Sequence, residues 1–339
     1  MSLDLLRIIC CIMVIAIHVT PDYSFTVISS QPIYIQYQSL VIQSIVRIGL
    51  PVFFMLSGYY ILNRKTDNLL KFYTKRISSI ALPFIIYSLM HFYVMNYING
   101  NRQSVFIYLY MIFSGSTTLS VHFWFVYAML GLYIISPAIK YITDKIPEQD
   151  TVKSIIIMVA IFYYSLYSYS ASQSFNSYHH LIPVQGLDTW LLYFIVGGLL
   201  KRITISKKIL YTSLPLALVF HMLMVCLSVN KFNFNIYPYD SGANMLLICS
   251  ILLMVFSQIN LVTGSVMSLI IEKIAPLTYG IYLVHVFVFR ALEKIFEIPF
   301  IVDWIALKTL SLSFAIFIIS AAIVVAIDTF LIKPVLSKI

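Results

Sequence analysis

The chain is expected to fold as an all-α, polytopic integral membrane protein with about ten transmembrane helices and both termini cytoplasmic, and three observations lead there. The first is composition: the 339 residues are 60% hydrophobic and only 10% charged, with a mean hydropathy of +0.92. Those values exclude an ordinary soluble domain. The second is that apolar stretches of about 17 to 25 residues, the length that crosses a bilayer, can be placed ten times along the chain. The third is that Lys and Arg alternate between successive loops. The net charge of +9 therefore reads as a determinant of topology and not as a surface for nucleic acid.

In chain order the expected spans fall near 3–20, 41–62, 77–96, 121–142, 153–171, 187–200, 209–229, 243–262, 275–292 and 305–331. The first has no basic segment before it and no small-residue cleavage site after it, so it reads as a retained helix and not a signal peptide. The sixth is short and contains Gly197 and Gly198. Basic residues gather on one side: Arg64, Lys65, Lys71, Lys75 and Arg76, then Lys140, Lys145 and Lys153, then Lys201, Arg202, Lys207 and Lys208, and finally Lys273, Lys333 and Lys338. The other side holds Arg102, Lys231, Arg290, Lys294 and Lys308. The positive-inside rule then places both termini in the cytoplasm. Trp190 and Trp304 sit near span ends, as interfacial aromatics do. The longer outer loops, near 21–40, 97–120 and 172–186, are rich in Tyr, Ser, Gln and Asn, which suits either a hydroxylated ligand or the interface itself. The whole chain, 1–339, is expected to be a single membrane-embedded domain with no appended soluble domain.

Two ionisable residues stand out in the first span, LDLLRIICCIMVIAIHV. Arg7 and His18 are eleven residues apart, which at about 100° per residue returns to nearly the same face, roughly 16 Å further along the axis. Such groups are costly in a membrane and usually face a bundle interior or a wet cavity. Two readings stand for each: Arg7 either snorkels to the headgroups or lines a polar path, and His18 is either a packing residue or a working one. Asp4, one turn before Arg7, can pair with it.

The second span, VRIGLPVFFMLSGYYI, carries Arg47 at its outer end and Ser57 and Gly58 toward its inner end. Gly49, Ser57 and Gly58 suit close helix approach. Lys75 and Arg76, and Arg64 before them, suit phosphate by charge and by the Arg fork, although topology alone accounts for basic residues there. The fourth span opens HFWFVYAMLGLYIISP, with His122 and Trp124 at its outer end, where an aromatic belt also explains Trp124. The ninth, PLTYGIYLVHVFVFRALE, places Tyr279, Tyr282 and His285 in an apolar helix, with Tyr282 and His285 one turn apart. His179 and His180 lack a third ligand at metal spacing. No metal site is expected. Cys10, Cys11, Cys226 and Cys249 lie in apolar runs without metal or disulfide spacing and read as buried thiols.

Taken together, these segments resemble the membrane-bound acyltransferase 3 family of bacterial surface-polysaccharide O-acyltransferases. The resemblance rests on R-x10-H from Arg7 to His18, RIGLPVFFMLSGY from Arg47 to Tyr59, HFWFVYAMLGLYIISP from His122 to Pro137, and YGIYLVH from Tyr279 to His285. It runs in order over nearly the whole chain, and the HFWF segment looks most like the enterobacterial common antigen O-acetyltransferase type. The family pattern often has a second Arg three residues after the first in the basic segment; here Ser79 stands three residues after Arg76.

The resemblance implies transfer of an acyl group, usually acetyl, from cytoplasmic acyl-CoA to a hydroxyl of a cell-surface polysaccharide or its lipid-linked precursor, at the bacterial cytoplasmic (inner) membrane. His18 and Arg7 would be catalytic. Arg76, Lys75, Arg64 and Ser57 would meet the CoA; Arg47, His122, Trp124, Tyr282 and His285 would shape the acceptor side. Acetyl-CoA would be a donor substrate, with no permanently bound cofactor, no metal and no nucleic-acid partner. Arg7 could hold the CoA or stabilise a developing oxyanion, and its position nearer the cytoplasm favours the CoA. Transfer could be direct, with His18 as base, or pass through an acyl group on His18 or Cys11. A transporter of a polyprenyl-linked sugar or acylated metabolite is the alternative class, since intramembrane Arg and His fit transport as well.

Overall fold

The computed structural model describes residues 1–21, 28, 30–64, 68–172, 187–230, 240, 242–299, 301–332 and 334. Every regular element among them is helical. In order they are α1 (Ser2–Val19), α2 (Ile33–Val46), α3 (Gly49–Ile61), α4 (Leu69–Ile98), α5 (Val105–Ser114), α6 (Trp124–Thr143), α7 (Thr151–Ser172), α8 (Leu187–Leu200), α9 (Lys207–Asn230), α10 (Ala243–Gln258), α11 (Val266–Ile274), α12 (Thr278–Phe296) and α13 (Ile305–Ile327). A one-turn 3₁₀ segment, Val121–Phe123, leads into α6, and a π-turn, Asp328–Ile332, continues α13.

Seven stretches among the described residues are long and apolar enough to cross a membrane: Ser2–Val19, Ile33–Ile61, Leu69–Ile98, Val121–Thr143, Lys207–Leu227, Val266–Phe296 and Ile305–Ile332. Seven of the ten expected spans coincide with these. Two of the remaining three, near 187–200 and 243–262, are α8 and α10, with 14 and 16 residues, short of the roughly 20 that span a bilayer. The third is α7, whose side chains past Ser165 lie outside the described residues. Lys65, Lys231, Lys333 and Lys338 of the charge pattern, and His179 and His180, also lie outside them.

Two expected outer loops contain helix. Residues 21–40 hold the start of α2, and 97–120 hold α5. Apolar residues outweigh Tyr and Ser in α5, VFIYLYMIFS, and in α2, IYIQYQSLVIQSIV, they equal Tyr, Ser and Gln in number. The second span is also not one helix. It breaks at Arg47 and Ile48, between α2 and α3. Pro51 explains the break, because it has no N–H for the Arg47 carbonyl and its ring would clash with that carbonyl in a continuous helix.

The chain forms two compact units. The first comprises Met1–Leu50, Asn68–Leu130 and Asn260–Ile339; the second comprises Pro51–Asp67 and Gly131–Ile259. In the first unit α1 packs against α2, α12 and α13, while α12 also packs against α4 and α13. Leu6, Cys10, Ile15 and Val19 of α1 are fully buried there. Gly49 itself lies close against α1: a Cβ on it would stand 2.8 Å from the Cys10 carbonyl oxygen and from Met13 Cβ.

In the second unit α9 packs on α10, and α8 on both α7 and α10. Small residues bring α3 and α8 into backbone contact. A Cβ on Gly58 would lie 1.8 Å from the Phe194 carbonyl oxygen, and one on Gly197 would lie 2.2 Å from that of Met55. Phe54 stacks on Trp190 beside this crossing, at 4.7 Å between centroids. Charge gathers at the end of α6. Arg202 donates to the Thr143 carbonyl at 2.8 Å and reaches Asp144 at 3.1 Å, and Lys140 pairs with the same carboxylate at 2.7 Å.

Candidate active site

His18 lies in the last turn of α1, His91 in the second half of α4, His122 in the turn before α6 and His285 near the middle of α12. Folding of the first unit brings these four of the chain's seven histidines together. Ring centroids are 5.2 Å apart for His18 and His285, 6.3 Å for His18 and His122, 5.1 Å for His122 and His285, and 5.5 Å for His91 and His122. His91, His122 and His285 retain 2%, 2% and 0% of their accessible surface, so bulk water cannot meet their hydrogen-bonding needs. His18 is half-buried.

Backbone carbonyls fix how two of the rings are used. The His285 Nδ1–H donates to the Tyr282 carbonyl, which leaves the lone pair on Nε2. That Nε2 is fully enclosed and has no hydrogen-bond partner among the described residues. His122 Nε2–H donates to the Leu283 carbonyl at 3.4 Å, and its Nδ1 then accepts from the Ser120 hydroxyl at 2.8 Å. The Tyr282 hydroxyl donates to the His122 carbonyl and pins the turn that carries this ring. The one-turn spacing of Tyr282 and His285 thus joins backbone to ring, and does not join the two side chains to each other.

The end of α1 is held by a separate network. Gln43 of α2 donates to the Thr20 carbonyl at 2.9 Å and to the Ile17 carbonyl at 3.3 Å. Its side-chain oxygen accepts from Arg47 Nε at 3.1 Å. The Thr20 hydroxyl donates to the Ala16 carbonyl at 2.8 Å and meets Thr309 of α13 at 3.0 Å. These bonds fix the turn of α1 that carries His18. Arg290 borders the same cavity as His18.

Beside the histidines lies a cavity of about 370 Å³, bordered by His18, His91, His122 and Arg290 together with the amides that follow α4. No three or more His, Cys, Asp or Glu side chains among the described residues are arranged to hold a metal ion.

The remaining sequence-derived candidates divide. Arg7 pairs with Asp4 at 3.3 Å, as its spacing suggests, and does not border this cavity. Cys11, two turns before His18, is buried and donates its thiol to the Thr278 carbonyl at 3.6 Å. Trp124 is half-buried against Phe125 and also lies outside the lining. Lys75 is exposed and Arg76 half-buried on the first turns of α4, in the first unit. Ser57, half-buried in α3, and exposed Arg64 belong to the second unit. Two residues of the site, His91 and Arg290, were not singled out from the sequence. Ser88 and His91, one turn apart on α4, form a polar pair in an apolar helix that points to the first; Arg290 reads from the sequence only as a topological charge.

A helical membrane protein with a histidine-lined cavity of this kind is a candidate for acid–base chemistry on a buried substrate. The class becomes specific by family: the description "acyltransferase domain" matches residues 2–329, and the chain belongs to that acyltransferase 3 family. No curated protein and no solved structure matches it.

Proposed function

We propose that this membrane acyltransferase moves an acyl group, acetyl in the first instance, from cytoplasmic acyl-CoA to a hydroxyl of a cell-surface polysaccharide or its lipid-linked precursor. The observation that carries the proposal is the cluster of the His18, His122 and His285 rings, the first two of which border one cavity, in a chain of this family. In this reading His18 takes the proton from the acceptor hydroxyl as its oxygen attacks the thioester carbonyl. The new C–O bond forms, the C–S bond breaks, and the proton passes to the departing CoA thiolate. Arg47 supplies positive charge for the oxyanion that develops in between. His122, Tyr282 and His285 shape the acceptor side, with Trp124 at its margin.

Arg7, roughly 16 Å down α1 from His18, serves the CoA in this proposal. Lys75, Arg76, Arg64 and Ser57 provide contacts for its phosphates, with Ser79 in place of the family's second arginine. Both termini then face the cytoplasm, the chain acts as one acyltransferase domain, and its setting is a bacterial inner membrane. The HFWF segment favours an acceptor like that of the enterobacterial common antigen O-acetyltransferases.

The test is the ester content of surface polysaccharide, read by NMR in cells carrying wild-type protein, the His18→Ala variant at equal membrane abundance, or neither. Esters are expected only with the wild-type protein. Equal esters in all three strains would overturn the proposal.

A further inference from the structure

Tyr279 and Gly280, in the first turn of α12, take no part in the transfer step. They stand where α4, α12 and α13 meet. α4 carries Pro83 in its interior. Proline brings no N–H to the carbonyl four residues earlier and crowds that turn of the helix. A membrane helix tolerates it where neighbouring groups restore the lost hydrogen bonding. Here α12 supplies such a group: the Tyr279 hydroxyl donates to the Ile80 carbonyl at 2.9 Å.

On the other side of Pro83, Tyr87 is fully buried, and its hydroxyl donates to the Asp328 carboxylate at 2.6 Å. Asp328 opens the π-turn that continues α13. Both partners belong to stretches long and apolar enough to cross a membrane. A carboxylate in such a place is costly and marks function by default, and π-turns recur at functional sites. Gly280 makes the approach possible. A Cβ on it would stand 2.6 Å from Val324 Cγ1 and 3.2 Å from the Tyr87 hydroxyl oxygen.

The junction lies close to the histidines. Tyr87 and His91 are one turn apart on the same face of α4, and Gly280 precedes His285 on α12 by about 7.5 Å of helix rise. His91 packs on Phe287 of α12 at 6.2 Å and on His122 at 5.5 Å between centroids. Where its ring stands therefore depends on how α4 lies against α12. His18 rests on His122 and His285 in turn.

Resting on the acyl-transfer reading above, we infer that Asp328, Tyr87 and Tyr279 are positioning residues for the reaction: two phenol clasps, one on each side of Pro83, hold α4 against α12 and α13 and so set His91 relative to His122 and His285. Hydrogen bonds to a carboxylate are the stronger kind, which suits a clasp that must hold position. A displacement of about 1 Å at a reacting centre can cost about 10²-fold in rate, so the wall of rings around His18 needs a fixed footing.

The test uses the full chain in lipid nanodiscs, with the variants Tyr87→Phe, Asp328→Leu, Asp328→Asn, Tyr279→Phe and the double variant Tyr87→Phe with Asp328→Leu. Transfer from labelled acetyl-CoA to de-esterified surface polysaccharide is measured per folded molecule, and NMR of ring-labelled histidine reads the rings. Tyr87→Phe and Asp328→Leu should each lower kcat about tenfold with both KM values held within about twofold, and Tyr279→Phe should lower it about threefold. Asp328→Asn still accepts from the Tyr87 hydroxyl and should stay within about threefold of wild type. The double variant should be no slower than the slower single one, because both changes remove one bond. The ring signals of His91 and His285 should move in Tyr87→Phe and Asp328→Leu and return in Asp328→Asn, while that of His221, in the second compact unit, stays in place. If Asp328→Leu does not accumulate, the nearly isosteric Tyr87→Phe carries the comparison. A lower melting temperature with unchanged kcat and unmoved ring signals would show a purely structural bond and overturn the inference, as would a change confined to KM. If wild-type protein transfers no acyl group, the acyl-transfer reading falls and the ring signals decide the positioning: moved signals support it and unmoved signals overturn it.

Discussion

The imidazoles of His18 and His285 stand 5.2 Å apart, inclined at 47° to one another. The His285 ring is oriented by the Tyr282 carbonyl, so its enclosed, unpartnered Nε2 belongs to the interior beside the half-buried His18. One ring can exchange protons with a substrate while the other accepts a hydrogen bond without leaving its carbonyl.

This arrangement sets unequal costs for removing the two rings. General acid–base groups contribute about 10²- to 10⁴-fold, and His18→Ala is expected to lose an amount in that range from kcat. His285→Phe keeps ring volume but removes the lone pair, and a loss of about tenfold is expected. Release of CoA thiol on acceptor addition measures both; full activity in His285→Phe would show that its Nε2 takes no part.

The basic start of α4 is expected to act on the donor alone. Replacing Lys75 or Arg76 with Ala removes a charged contact to phosphate, for which about 1.5–3 kcal/mol is typical, and an exposed site should deliver the lower part of that. An increase of about tenfold in the acetyl-CoA KM, with acceptor KM constant, is the expected result. The effect should shrink as salt is raised, because exposed charges are screened. Initial-rate kinetics at two ionic strengths would check it.

Gln43→Leu is expected to disturb chemistry from a distance. The substitution leaves the carbonyls of Thr20 and Ile17 without this donor and releases the Arg47 side chain from its acceptor. A buried unmet polar group costs about 1–3 kcal/mol, so thermal unfolding in detergent should move to lower temperature. The kcat should fall more than either KM, since the turn carrying His18 is loosened. A change confined to KM would count against this positioning role.

Gly58 and Gly197 report on the second unit alone. A methyl group at either position would lie about 2 Å from a backbone carbonyl oxygen of the facing helix, and backbone cannot rotate aside as a side chain does. Overpacking costs about 1–3 kcal/mol, occasionally more. Gly58→Ala and Gly197→Ala should each lower the unfolding temperature, and an unchanged melt would show that α3 and α8 can separate freely.

Much of the fold was legible because burial in lipid leaves a simple record: long apolar runs for the spans and small residues where helices meet, as at Gly49 and Gly58, whereas Gly197 in its short span gave no such signal. The pairing of Asp4 with Arg7 followed from one helical turn. His18, His122, Tyr282 and His285 were also legible, the last three only in company, since a single polar residue in an apolar helix has many uses. What sequence periodicity could not supply was distance between helices. His91 gained its meaning from α4 lying against α12, and Arg290 from bordering the same cavity as His18. The helices inside 21–40 and 97–120 were obscured by Tyr, Ser and Gln, which are polar enough to read as loop yet pack well in a membrane protein.

Pro51 has a consequence for electrostatics. By ending α2 at Arg47, the break creates a helix C-terminus, where the aligned peptide dipoles present about half a negative charge. The guanidinium therefore rests at the end of a helix that favours a cation, and its charge gains stabilisation from the peptide backbone itself. A proline four residues further on thus sets a permanent cation at a helix end that favours it.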